Sequence, residues 1–202
     1  MMNHAFSHTN TSFDLSLPDW AIAALNEMPS HLPTLEERMA AVIDFSRRNF
    51  VNQTGGPFAA GVFERDSGRL VVIGVNRVVR SNCSSAHAEI MALSLAQRIL
   101  GTFDLGGPGL PPHQLVVNWR PCAMCYGAVP WSGVRSLVVA GDGPELEAIT
   151  GFDEGPVHPD WRRQLELRGI EVITDVLRDE AIAVYREFAA SEQLVYNGRL
   201  GE

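Results

Sequence analysis

The stretch Ser85-Ala86-His87-Ala88-Glu89-Ile90-Met91-Ala92-Leu93 constrains this chain more than any other. Its apolar residues recur as they do on the buried face of a helix. An imidazole and a carboxylate stand two positions apart at its head, where the first backbone N–H groups have no partner within the helix. Burying such groups is costly unless they are paired or bind a metal. A second stretch, Pro121-Cys122-Ala123-Met124-Cys125, reads as the start of another helix. The expectation is a fold that brings these two helix starts together.

The chain has 202 residues, 46% of them hydrophobic, which suits one domain with a core large enough to need no staple. No apolar run reaches the roughly 18 residues of a membrane span. Residues 1–19 lack the basic-then-apolar order of a signal peptide, so a cytoplasmic protein is expected. Three cysteines, two of them as Cys122-x-x-Cys125, argue for metal or redox use rather than a disulfide framework. The formal net charge is −8 and every basic residue is an arginine. Polynucleotide binders carry a basic face. Here Arg77, Arg80 and the pair Arg162-Arg163 are the only candidates, and they also read as solvated surface.

Along the chain, residues 1–15 read as a polar arm. A short helix follows to about residue 28, with Ser16 or Asp19 as cap and Pro18 in the first turn. Thr34 and Glu37 fit a capping box, and Leu35, Met39, Val42, Ile43 and Phe50 follow at helical spacing. Residues 58–64 and 70–76 read as a hairpin around Asp66-Ser67-Gly68. A polar loop is expected over 77–85. The His87 helix should run to about residue 100, with Ile90, Leu93, Leu95 and Ile99 apolar, stopped by Gly101. A strand over 114–118 leads to the Cys122 helix, which Pro130 should kink or close. Strands over 134–140 and 170–174 alternate with helices over 144–150, 160–168 and 179–190. The pattern predicts one sheet covered by helices on both faces, its later strands parallel. Residues 1–33 form an arm with a short helix, and residues 34–202 the main domain.

Zinc takes thiolate sulfur and imidazole nitrogen in a tetrahedron. Cys122 and Cys125 are spaced so that one turn offers two thiolates, which a helix N-terminus favours. By itself Cys-x-x-Cys suits a metal, a redox dithiol or inert thiols. His87 as a third ligand, Glu89 beside it and Pro121 before the first cysteine favour the metal. Three protein ligands leave a fourth position open for water, whose pKa on zinc falls to about 7. Glu89 would then carry protons. Cys83, four residues before His87, reads as a spare thiol rather than a fourth ligand.

The pattern His-x-Glu followed by Pro-Cys-x-x-Cys is the signature of zinc deaminases, and the chain resembles the cytidine deaminase superfamily, within it the bacterial guanine deaminase-like branch. The resemblance also rests on residues 55–60 (Gly-Gly-Pro-Phe-Ala-Ala), Asn76-Arg77-Val78-Val79, residues 131–137, the loop Gly151-Phe152-Asp153-Glu154-Gly155-Pro156 and Tyr196-Asn197. It spans about 34–199. It implies a three-layer α/β/α sandwich with a mixed five-stranded sheet, bound Zn2+, and a homodimer whose C-terminal tail helps close a site. It implies a small nucleobase-like substrate, guanine first and ammeline, cytosine, cytidine or guanosine as alternatives; a deaminase editing tRNA or single-stranded DNA is the lesser reading, since the net charge of −8 argues for no nucleic-acid partner and the hydropathy for no membrane one. By the same resemblance His87, Cys122 and Cys125 hold the metal, and Glu89 and Glu154 share proton transfer. Asn76, Phe58, Ala88 and Trp119 contact the substrate. Trp119-Arg120 departs from the family, whose members commonly have a small residue and then Glu there. Trp119 would narrow the pocket, stack on the substrate or enter a dimer contact. Arg120 would meet a substrate carbonyl or balance nearby acids.

Overall fold

The computed structural model describes residues 11–198. Its elements follow the order α1 (Asp19–Glu27), α2 (Leu35–Val51), β1 (Ala59–Glu64), β2 (Leu70–Val75), α3 (Val78–Ser81), α4 (Ala88–Leu100), β3 (His113–Val117), α5 (Ala123–Ser132), β4 (Ser136–Val139), α6 (Glu145–Thr150), α7 (Trp161–Glu166), β5 (Glu171–Ile173) and α8 (Arg178–Ala190). The five strands form one sheet in the order β2-β1-β3-β4-β5. β1 is antiparallel to β2 and β3, whereas β3, β4 and β5 run parallel. This is the expected mixed sheet between helical layers.

Two cores explain why the central strands are apolar throughout. Every residue of β3 and β4 is buried, as strands covered on both faces require. On one face Met39, Val42 and Phe45 of α2 pack with Tyr185 and Phe188 of α8 and with Ala21 and Ala24 of α1. On the other, Ala88, Ala92 and Ala96 of α4 pack with Val129 of α5 and with Trp161 and Leu165 of α7. The Thr34–Glu37 capping box is present, with both reciprocal hydrogen bonds made.

Several local expectations give way. Pro18 itself occupies the N-cap of α1, and neither Ser16 nor Asp19 caps it through its side chain. The segment read as a polar loop after β2 contains the one-turn helix α3, closed by Asn82 in the left-handed region. Strands β4 and β5 are shorter than expected. Half of the six buried residues of α4 are alanines, while Ile99 is 60% exposed. The reason is close approach: a Cβ on Gly74 of β2 would lie 2.5 Å from the Ala92 nitrogen and 2.8 Å from the Ala88 oxygen. Small residues on both sides let the helix backbone sit on the strand. Pro130 lies inside α5 two residues before its end, so it closes the helix.

The register places the site. Ala59 pairs with Val75, Ala60 with Val117, and Val117 with Val139. The start of β1 and the ends of β2, β3 and β4 therefore meet at one edge of the sheet. Crevices beyond the carboxyl ends of parallel strands are where α/β folds bind ligands.

Candidate active site

His87 is the N-cap residue of α4 and Cys122 that of α5. Two positive helix ends thus face each other, an arrangement that favours thiolate. The Cys122 Sγ lies 3.5 Å from His87 Nδ1 and accepts a 3.5 Å hydrogen bond from the Cys125 N–H. The ligand atoms of His87, Cys122 and Cys125 all lie within 4.8 Å of one another. Tetrahedral zinc with its usual bond lengths separates sulfur from nitrogen by about 3.5 Å, so the donor set fits that ion. Among the described residues no other group of such side chains is gathered closely enough to hold a metal. Cys83 stays outside it, its thiol 3.2 Å from the Ser85 hydroxyl.

Hydrogen bonding divides the protons of the cysteine pair. The Cys125 thiol, with help from His87 and against burial, lowers Cys122 to about 4, and the same hydrogen bond raises Cys125. Burial opposes charge on His87, but Cys122 and the carboxylates outweigh it and raise its pKa. A bound cation would reverse this logic by holding His87 neutral and the thiols ionised.

Glu89 lies in the first turn of α4 and is buried. Burial first, then the negative Cys122, raises its carboxyl pKa. Glu154 reaches the same cavity from the loop after α6. That loop is pinned to α5, since the Ala123 N–H donates to the Glu154 carbonyl at 2.9 Å. Burial, then Cys122 and Glu89, pushes the Glu154 carboxyl up to about 8. Two buried acids with raised pKa values beside one metal-ligand cluster are what a proton-handling pair requires.

The cavity they face has a volume of about 260 Å³. Its walls include Phe58, Trp119, Phe152 and Tyr196. Phe58 meets Phe152 edge-on with centroids 5.0 Å apart. Trp119 is only 2% exposed, sets its ring against Tyr185 at 5.6 Å and donates to the Gly143 carbonyl at 3.3 Å. It is a wall of the cavity, and a side chain so enclosed has no surface to offer a partner subunit. Ala88 is fully buried at the start of α4 and packs toward β2.

Asn76 lies behind the wall. Its Oδ1 accepts from the Gly56 and Val78 N–H groups at 3.4 and 3.3 Å, and its Nδ2 donates to the Tyr196 hydroxyl. Tyr196, not Asn76, lines the cavity. Two asparagines that sequence reasoning missed hold this corner. Asn49 Nδ2 donates to the Gly56 and Asn76 carbonyls, both at 2.9 Å. Asn118 accepts from the Ala59 N–H at 3.1 Å and donates to the Pro57 carbonyl at 3.0 Å. A polar residue between Ser46 and Phe50 on the apolar face of α2 was the available signal for Asn49. The tail is tied down by Asn197, which accepts from the Asp153 N–H and donates to the Gly151 carbonyl.

Residues 33–141 match the family model for the cytidine and deoxycytidylate deaminase zinc-binding region. The chain belongs to this deaminase family. Among solved structures, a guanine deaminase from Nitrosomonas europaea is 52% identical, with TM-score 0.85, over 91% of this chain and 100% of the other. Another solved structure, also 52% identical, with TM-score 0.86, covers 94% of this chain and 99% of its own and was determined in complex with 2,6-diaminopurine. The guanine deaminase of Bacillus subtilis is 28% identical over 69% of this chain and 85% of its own length. As a member of the family the chain is a zinc-dependent hydrolytic deaminase. No helix among the described residues is long and apolar enough to cross a membrane.

Proposed function

We propose that this deaminase hydrolyses guanine to xanthine and ammonia. The observation that carries the reading is the pair Glu89 and Glu154, both buried in one small cavity beside His87, Cys122 and Cys125. Removing an amine from an amidine carbon requires a proton at the ring nitrogen and another on the departing nitrogen, so two acids at the centre suit it. Similarity to guanine deaminases over nearly the whole chain supports the choice of base.

Zinc held by His87, Cys122 and Cys125 would supply an activated water. Glu89 takes a proton from the attacking water and passes it to the ring nitrogen beside C2. Glu154 holds the amino edge and shares transfer of the second proton to the amine, which leaves as ammonia. Phe58 and Trp119 pack against the base, Ala88 borders it, and Asn76 binds the ring once its amide exchanges Tyr196 for substrate. The catalytic unit is the domain from residue 34 onward, into whose core α1 packs through Ala21 and Ala24.

The enzyme acts in purine metabolism in the cytoplasm on free bases, without a nucleic-acid partner. Arg162, one of the few basic candidates, is already paired with Asp142 at 2.5 Å. It works as a homodimer through the surface around Gln97 of α4, bordered by Phe103 of the following loop and Trp131 of α5, which are exposed at 86% and 87%. Neighbouring exposed aromatic rings of this kind suit an interface.

The test is an ammonia-release panel of guanine, guanosine, ammeline, adenine, cytosine and cytidine. Guanine should be turned over fastest; preference for any other compound rejects the assignment. Glu89→Gln should retain zinc by metal analysis while turnover falls about 10²- to 10⁴-fold.

A further inference from the structure

Arg120 follows β3 and immediately precedes the Pro121-Cys122 turn. Its N–H donates to the Gly141 carbonyl at 2.8 Å, which fixes it against the end of β4. Its side chain lines the cavity that holds Glu89 and Glu154. The guanidinium Nε is shut off from water and has no hydrogen-bond partner. No ion pair joins Arg120 to any described residue, Glu154 included.

Arg77 has an unpartnered buried Nε as well, but its Nη1 donates to a carbonyl, whereas no guanidinium nitrogen of Arg120 donates to any described residue. Arg38 donates to the carbonyls of Leu32, Pro33 and Arg65. Arg77 donates to the Thr54 carbonyl, and Arg178 to Glu145 and Asp175. A guanidinium offers five donors and no acceptor, and its charge does not leave at any ordinary pH. The Nε is enclosed, but the two Nη nitrogens, also without a partner, are not, and a donor left open at a ligand cavity is matched by an acceptor that arrives with the ligand. The two acids nearby serve the N–H edge of a heterocycle, and Arg120 supplies what they lack.

We infer that Arg120 is a specificity-determining residue whose guanidinium donates to an acceptor on the substrate ring, a carbonyl oxygen above all, and so selects amino-oxo heterocycles over their diamino counterparts. The inference rests on the deaminase reading of the same cavity. Guanine carries the required pair of edges; 2,6-diaminopurine replaces its carbonyl by an amine, which presents N–H groups to a donor.

The experiment compares zinc-loaded wild type with Arg120→Met, using kcat/KM for ammonia release from guanine and from 2,6-diaminopurine, and calorimetric Kd for each base. Loss of one charge-assisted hydrogen bond should lower kcat/KM and affinity for guanine roughly 10- to 100-fold, with less than about a threefold change for 2,6-diaminopurine. Zinc content should stay the same. Equal loss on both bases, or no loss on either, overturns the assignment. If Arg120→Met does not fold, Arg120→Gln is read by the same criterion. If wild type leaves guanine untouched, the guanine assignment fails separately. The Arg120 inference is then decided by wild type and variant on cytosine against 2,4-diaminopyrimidine, where the same carbonyl-to-amine exchange must again give a selective loss.

Discussion

Burial of Glu154 against Cys122 and Glu89 raises its carboxyl to about 8, against an ordinary value of 4.5. Between these values the folded protein without metal binds a proton there that the unfolded chain releases. Stability contributed by Glu154 is therefore complete at the acid end of the window and is lost as pH rises through it. Cys122, lowered to about 4, works in the opposite sense, so a bare pH profile mixes the two. The comparison with Glu154→Gln separates them. In metal-free protein the stability of wild type relative to this variant should fall from pH 5 to pH 8 in urea titrations; a flat or rising difference refutes the shift. In the zinc-loaded enzyme the same variant should lower kcat about 10²-fold, because an amide keeps the shape but cannot carry the proton. Glu154 was visible in the sequence only through the family's loop, since nothing local marks one loop carboxylate among several. Asn76 was visible in the same way. Its bond to Tyr196 was not, because it joins residues far apart in sequence that only the folded tail brings together.

Helix α4 brings His87 and Glu89 to the cavity, and its height above the sheet is set by Gly74. Gly74→Ala would place a Cβ 2.5 Å from the Ala92 backbone nitrogen, which no rotamer can relieve. The expected cost is about 1–3 kcal/mol from overpacking, seen as a lower urea midpoint. Metal affinity should drop with it as His87 moves away from Cys122; unchanged stability and zinc binding would show that α4 tolerates the displacement. Periodicity revealed that this helix exists but not which of its apolar residues face inward, because small residues such as Ala88 and Ala92 are what a helix needs where its backbone touches a strand. The capping box of α2 was legible because its signal lies within four residues. Helix α3 was not, since a single turn has too few residues to display a period.

At the scale of the whole molecule, alternation of element types was enough to predict one sheet with helices on both faces and parallel late strands. The order β2-β1-β3 was not readable by alternation, because it depends on β1 pairing with both its hairpin mate and a distant strand. The proposed dimer is testable at this scale. Trp131 is 87% exposed, so Trp131→Glu should leave the fold intact yet shift the sedimentation coefficient from dimer to monomer. A variant that sediments as wild type does would place the interface elsewhere.

The cavity wall joins Phe58, next to the first strand, to Tyr196 and Asn197 in the tail, while the three metal donors lie between them in the chain. During synthesis the ribosome delivers the donors well before the tail. Metal binding and closure of the chamber therefore draw on separate parts of the chain, and a defect in the tail would spare all three donors while opening the wall that holds a base.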